Sequence, residues 1–351
     1  MTSKNQTLQF CTLFNSAYLA RGLAMYRSLE KVCSDFHLYV FAFDDVTLNY
    51  FKSFPEKNLT VVSLSEFEDD ALLSVKSSRT AGEYCWTCTS STILYCIEKY
   101  NLEHCTYIDA DMLFYSDPIV LHEEMGSKSI LITEHRYTPV YNQSATSGIY
   151  CVQYITFRND KHGLTALKWW RNACIDWCYN RLEDGKFGDQ KYLDDWTTRF
   201  EGVHVLQHLG AGVAPWNIQQ YELVKVLGLL HVRDLSSESI SPLVFFHFHG
   251  LRFYSGEMVA FTGAGYALSD LAKNELFKPY AIELFNLAAE LYSGSAKIAN
   301  SNGTSGDIIP SRIMNGLLIL KDNILNRLRF LLGRRSSYRR LGNHIYHRTE
   351  L

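Results

Sequence analysis

Along the first 120 residues the hydrophobic positions alternate between two periods. Leu8–Phe14, apolar but for Gln9 and Thr12, predicts a buried strand. From Tyr18 to Val32 the apolar residues fall at Leu19, Leu23, Tyr26, Leu29 and Val32, the spacing of one helix face. Leu38–Phe43 and Leu59–Leu64 predict further strands and Tyr84–Tyr100 a helix. Cys105–Ile108 predicts a strand that runs into Asp109-Ala110-Asp111. Strand–helix–strand alternation implies an α/β fold, a largely parallel sheet covered by helices. Such sheets bind ligands beyond the carboxyl ends of their strands. Three of these ends are polar here: Asn15-Ser16, Asp44-Asp45 and Asp109-Ala110-Asp111.

The middle of the chain is mixed. Ile130–Thr133, Ile149–Tyr154, Val203–Leu206 and Leu243–His249 read as strands, Thr165–Asn180 and Leu268–Leu291 as helical. Residues 293–309 are rich in Gly, Ser and Asn and predict a flexible linker after a body of residues 1–292. Beyond it, Ile313, Leu317, Leu320, Ile324, Leu328 and Leu331 form one stripe of an amphipathic helix.

Charge sharpens that division. The chain has 351 residues and a net charge of −3. Nine Lys/Arg and only Asp322 and Glu350 lie between Pro310 and Leu351, so this tail is +7 and the rest −10. An acidic body with a basic amphipathic tail predicts docking of residues 310–351 on an anionic membrane surface. It also speaks against nucleic acid as a partner, because the body would be repelled by phosphates. A hydrophobic fraction of 47% excludes a disordered chain. Nine scattered cysteines and a polar Met1–Gln9 predict a cytoplasmic protein, peripheral on the inner face of the membrane.

Three clusters carry chemistry. Asp109 and Asp111, two apart at a strand end, point the same way and suit a hard cation such as Mn²⁺ or Mg²⁺. In Phe246-His247-Phe248-His249-Gly250 either histidine can supply an imidazole ligand beside them. In Phe187-Gly188-Asp189-Gln190 the acid and amide can hydrogen-bond a polyhydroxylated substrate, or Asp189 can cap the following helical turn.

Taken in order with two further motifs, these clusters resemble glycosyltransferases of the GT-A fold over residues 8–255. Within that fold they are most similar to the retaining family-8-like enzymes, such as glycogenin and the bacterial lipopolysaccharide galactosyl- and glucosyltransferases. The motifs are Thr12-Leu13-Phe14-Asn15-Ser16-Ala17-Tyr18, Tyr107-Ile108-Asp109-Ala110-Asp111-Met112-Leu113-Phe114, Ser147-Gly148-Ile149-Tyr150, Gly188-Asp189-Gln190 and His247-Phe248-His249-Gly250. The resemblance implies a Rossmann-like mixed sheet flanked by helices. It implies that Asp109, Asp111 and His247 hold Mn²⁺ or Mg²⁺ against the diphosphate of a nucleotide sugar, most simply a UDP-sugar. Asn15 and Tyr18 would touch the nucleoside, Ser147 and Gly148 would lie beside the donor sugar, and Asp189 and Gln190 would face the reacting carbon. The implied activity is transfer of a hexose to a glycan or lipid-linked glycan, in lipopolysaccharide, O-antigen or capsule synthesis.

The chain departs from the family in two places. Thr146 stands where an Asn usually precedes the small-Gly pair, and the chain reads Gly250-Leu251-Arg252-Phe253-Tyr254 where a Lys-Pro-Trp usually follows the late His, so that Arg252 can replace the lysine as a diphosphate partner. Arg79, ahead of the Asp-x-Asp strand, is a second basic candidate for the donor. Trp216 and Asn217, after a glycine-rich turn, are candidates for stacking on and bonding a sugar. Cys85, Cys88, Cys174 and Cys178 have spacings that a zinc site or a plain core would both accept. The rival readings are an inverting transferase, a nucleotidyltransferase and a sugar-binding module without catalysis.

Overall fold

Residues 7–263, 265–306 and 344–351 are described by a computed structural model. Along β1 (Leu8–Phe14), Leu8, Phe10 and Phe14 point to one face of a sheet, and Cys11 and Leu13 to the other. β2 (Phe36–Ala42) repeats this, with Leu38 and Val40 opposite Tyr39 and Phe41. Both faces are buried, which is why these strands read as largely apolar runs. One face is covered by α1 (Leu19–Val32), the other by a long helix at Ala81–Tyr100 and by a helix at Lys161–Asp176.

The strands that follow are β3 (Leu59–Ser63), β4 (His104–Ile108), β5 (Met112–Phe114), β6 (Ile130–Glu134), β7 (Tyr150–Arg158) and β8 (Val203–Val205). The main sheet has the order β3-β2-β1-β4-β7-β6-β8. Its pairs are parallel except β4–β7 and β6–β7, so β7 alone among the described strands runs against the rest. This is the mixed, helix-flanked α/β sheet expected from the sequence. The chain then adds a three-stranded meander, β9 (Tyr221–Val226), β10 (Leu229–Asp234) and β11 (Ile240–Pro242), which no pattern in the sequence announced. β12 (Phe245–His247) pairs with β5 outside the main sheet, and β13 (Arg252–Tyr254) pairs with β14 (Met258–Ala260).

The reading of residues 293–309 as a flexible linker needs correction over its described part. A helix at Lys278–Ser293 reaches into this stretch, and Ile298, Ser301 and Asn302 are buried. Asn302 Nδ2 donates to Leu284 O (2.8 Å), and Asn302 O accepts from Arg21 Nη1 (2.8 Å). Here Asn302 spends its amide nitrogen on a buried hydrogen bond rather than on solvation. The tail is corrected at its end as well. β15 (Ile345–His347) adds to β14, and Tyr346 stacks on Phe261 at 4.6 Å. The amphipathic stripe, Ile313–Leu332, lies outside the described residues. Among the described residues no helix is long and apolar enough to cross a membrane.

Candidate functional site

The site forms where β4 leaves the main sheet. Asp109 follows the last residue of β4, and its N–H donates to Gln153 O on β7 (3.1 Å). The chain turns through Ala110 and Asp111 into β5, which pairs with β12 so that Met112 faces His247. Phe248 N donates to Asp111 O (2.9 Å) and closes the register. This short pairing brings His247 Nε2 to 3.0 Å from Asp111 Oδ1 and 3.7 Å from Asp109 Oδ2. The three ligand atoms all lie within 4.8 Å of one another.

The charge of His247 acts on both carboxyls of the trio. Burial raises Asp111, but the charge and hydrogen bond of His247 outweigh it and hold the carboxyl at about 2. Burial pushes Asp109 up to about 6, against the pull of His247. Burial opposes the charged form of His247, yet Asp111 raises it well above its usual value. Two carboxylates and an imidazole nitrogen at these separations need positive charge among them, from a proton or from a cation. Oxygen and imidazole donors fit Mn²⁺ or Mg²⁺, so the residues present suit the divalent ion that the resemblance implies. His249, the alternative ligand, is exposed, and its ring centroid is 5.6 Å from that of His247.

Several other predicted residues surround this trio. Asp189 is 5% exposed, and burial together with the charge of Asp109 pushes it up to about 7. Its side chain makes no capping hydrogen bond to the following turn among the described residues, and its carbonyl accepts from Trp170 Nε1 (2.9 Å). Gln190 Nε2 donates to Ser147 O (2.6 Å), which ties the Asp189–Gln190 turn to the Ser147–Gly148 segment. Gly148 has φ +102°, and a Cβ there would sit 3.1 Å from Asp194 Oδ1, so the close approach requires glycine. The Tyr18 phenol is raised by burial and by the charge of Asp111, while Arg21 and Arg252 pull it down. Asn15 caps the turn before Tyr18 by accepting from Ala17 N (3.2 Å). Ser16 N donates to Asp44 Oδ2 (2.8 Å), joining the polar ends of β1 and β2.

Other candidates are placed differently. Arg79 precedes the Thr80/Glu83 capping box of the Ala81–Tyr100 helix. Its guanidinium donates to Ile175 O (3.1 Å) and lies 3.9 Å from the Tyr179 ring, so these contacts do not bring it to the carboxylates. Asn217 is fully buried and spent on the backbone, donating to His135 O and Gly212 O and accepting from Ala214 N. Trp216 is buried too. It donates to His135 O and sets its edge against His247 at 5.4 Å, where it supports the imidazole. All nine cysteines are free, and Cys85, Cys88, Cys174 and Cys178 do not form a common metal-ligand group among the described residues.

Two residues at the site were missed. Arg21 is 3% exposed on α1, donates to Asn302 O and Leu251 O, lies 4.5 Å from the Tyr18 ring and lowers Asp111 by its charge. Gln153, wholly buried on β7, bonds His247. Each is a lone polar residue inside an apolar segment, and that was the available signal.

No protein-family model matches the chain. It is 32% identical over 248 residues to the uncharacterized protein YfnD of Bacillus subtilis (strain 168), across 70% of this chain and 78% of that protein. The chain belongs to the YfnD family. A second relative, the uncharacterized protein YfnF of the same organism, is 31% identical over 258 residues, 71% of this chain and 83% of that protein. Solved structures similar to this member of the family include mouse xyloside xylosyltransferase 1 in its apo form. The identity is 13% and the TM-score 0.40, with 57% of this chain and 86% of that one covered. Another is the galactosyltransferase LgtC in complex with donor and acceptor sugar analogues, at 10% identity and TM-score 0.43, over 68% of this chain and 86% of that one.

Proposed function

We propose that this chain is a GT-A-fold glycosyltransferase that moves a hexose from a nucleoside diphosphate sugar, most simply a UDP-sugar, to a hydroxyl of a glycan acceptor. The observation that carries this reading is the trio Asp109, Asp111 and His247, gathered at the carboxyl end of β4 with Asp189 and Gln190 beside it. A bound Mn²⁺ or Mg²⁺ held by the trio would supply Lewis-acid stabilisation of the leaving diphosphate. Asn15 and Tyr18 bind the nucleoside end, and Arg252, within electrostatic reach of Tyr18, meets phosphate. Gln190, tied to Ser147 O, holds the sugar-facing turn against Gly148. Asp189 stands beside the trio with its carboxyl pushed to about 7, near the pH at which a group can hold or release a proton.

Retention of the anomeric configuration follows if the acceptor attacks from the face the diphosphate leaves. The acceptor is then a glycan or lipid-linked glycan intermediate, and the basic residues between 307 and 343 meet the anionic membrane that carries it, keeping the protein on its cytoplasmic face. In this division the catalytic body takes in residues 293–306 and the last eight residues, where Arg348 is already paired with Glu257 (2.9 Å).

The test is a screen of nucleotide sugars for release of free nucleoside diphosphate with Mn²⁺, repeated with a chelator. One donor cleaved only with metal is the expected result. Silence from every donor, together with no nucleotide binding by calorimetry, rejects the reading. The anomer of the transferred sugar, read by NMR, then separates retention from inversion.

A further inference from the structure

We infer that Gln153 is a positioning residue of the cation site, whose amide decides which ring nitrogen of His247 carries the lone pair. The inference rests on reading Asp109, Asp111 and His247 as cation ligands. Gln153 lies in the middle of β7 with no exposed surface, and its backbone oxygen already holds Asp109 N (3.1 Å). Its side-chain Oε1 is 2.7 Å from His247 Nδ1. An amide oxygen only accepts, so Nδ1 carries the proton in this pairing. Nε2, the nitrogen that faces Asp111 and Asp109, is then the one that gives up its proton and offers a lone pair when a cation enters. An imidazole binds a cation only through an unprotonated nitrogen, so this tautomer is the one that can ligate. The ring is otherwise fixed by Trp216, edge-on at 88°, and by His247 N donating to Val213 O (2.9 Å).

The other end of the amide suggests a decisive substitution. Gln153 Nε2 is buried and has no hydrogen-bond partner among the described residues, and Arg136 Nη2 is in the same condition. Both converge on Gly212 (φ +72°), where a Cβ would lie 3.3 Å from Gln153 Nε2 and 2.9 Å from Arg136 Nη2. A carboxylate at position 153 keeps an acceptor for His247 Nδ1 and offers a second oxygen toward Arg136. A thioether there keeps the volume and offers His247 no acceptor.

The experiment uses the full chain without donor and measures Mn²⁺ affinity by paramagnetic resonance for wild type, Gln153→Met, Gln153→Glu and Asp111→Asn. Thermal melts confirm that each variant is folded. Nitrogen-15 histidine spectra of the Mg²⁺-loaded wild type read the tautomer directly. The expected results are a loss of about 10- to 100-fold in affinity for Gln153→Met, wild-type or tighter binding for Gln153→Glu, and a proton on His247 Nδ1. Gln153→Met binding as tightly as wild type, a folded Gln153→Glu as weak as Gln153→Met, or a proton on Nε2 in the loaded protein overturns the inference. If the wild type binds no Mn²⁺, or Asp111→Asn binds as well as wild type, the cation reading itself fails and the inference falls with it.

Discussion

Replacing Asp189 by Asn tests whether the site is held at the expense of the fold. The carboxyl is 5% exposed, and burial with the charge of Asp109 pushes it up to about 7. An aspartate in the unfolded chain titrates near ~3.9. Between those values the native state keeps a proton that the unfolded chain has released. The wild type therefore loses stability as pH rises through this window, and the loss levels off above about 7. A tenfold difference in proton affinity between the folded and unfolded chain is worth about 1.4 kcal/mol, so from pH 5 upward the loss amounts to about 2–3 kcal/mol. Asn has nearly the same shape and does not titrate. Urea unfolding of both proteins with a chelator, from pH 5 to pH 8.5, measures the difference. The advantage of Asp189→Asn over wild type should grow across this range by about 2–3 kcal/mol and then flatten. Donor hydrolysis should fall in the same variant. A stability difference independent of pH, or one that shrinks as pH rises, refutes the argument.

Asp111→Asn removes the carboxylate 3.0 Å from His247 and should abolish both Mn²⁺ binding and metal-dependent donor hydrolysis; full retained activity rejects the metal assignment. Arg21→Met strips charged donors from Asn302 O and Leu251 O and should lower stability in urea by about 2–4 kcal/mol, whereas an unchanged midpoint means residues 301–302 are not held there. Truncation after residue 343 removes β15 and the Tyr346 ring stacked on Phe261, and should cost about 2–3 kcal/mol in the same assay. Changing Arg334, Arg335, Arg339 and Arg340 to Gln should weaken sedimentation with anionic vesicles by roughly 1 kcal/mol per residue while leaving nucleotide binding intact. Unchanged vesicle binding rejects the membrane role of the tail.

The parts of the fold that were legible are those where one physical demand dominates. β1, β2 and β4 are buried on both faces, so their apolar runs had no competing explanation, and the α1 stripe followed from its helical spacing. The β9–β11 meander was illegible for the opposite reason. Only Leu223 and Val232 of its central pairs are buried, while Val226 and Leu229 are exposed. Its turn places Leu227 at φ 50° and Gly228 at φ 83°, positions where Asn-Gly is the usual cue and a leucine hides it. Residues 293–306 misled through composition. Ser301 and Asn302 accept from α1 and its Arg21 through their backbone oxygens, and the Asn302 amide donates to Leu284 O on the Lys278–Ser293 helix; composition does not distinguish such burial from solvation.

The trio shows why residue type was readable and assembly was not. Asp-x-Asp at a strand end and a late His-x-x-Gly announce their chemistry through side chains alone. What joins them is the β5–β12 pairing, three residues on each side, too short for any periodicity to register. Arg79 drew notice as a basic residue before the Asp-x-Asp strand, and the Thr80 capping box sets it at a helix start, beside the Ile175 carbonyl and the Tyr179 ring. Arg21 and Gln153 reverse the lesson. A lone polar residue inside an apolar run that predicts burial must find a partner elsewhere, because an unpaired buried donor or acceptor costs about 1–3 kcal/mol. In this chain both end at the same place. Arg21 joins Tyr18 to the Asn302 turn within electrostatic reach of Asp111, and Gln153 holds His247. The supporting shell of the site was therefore marked in the sequence as exceptions to the hydrophobic pattern, and only the partner of each exception needed coordinates.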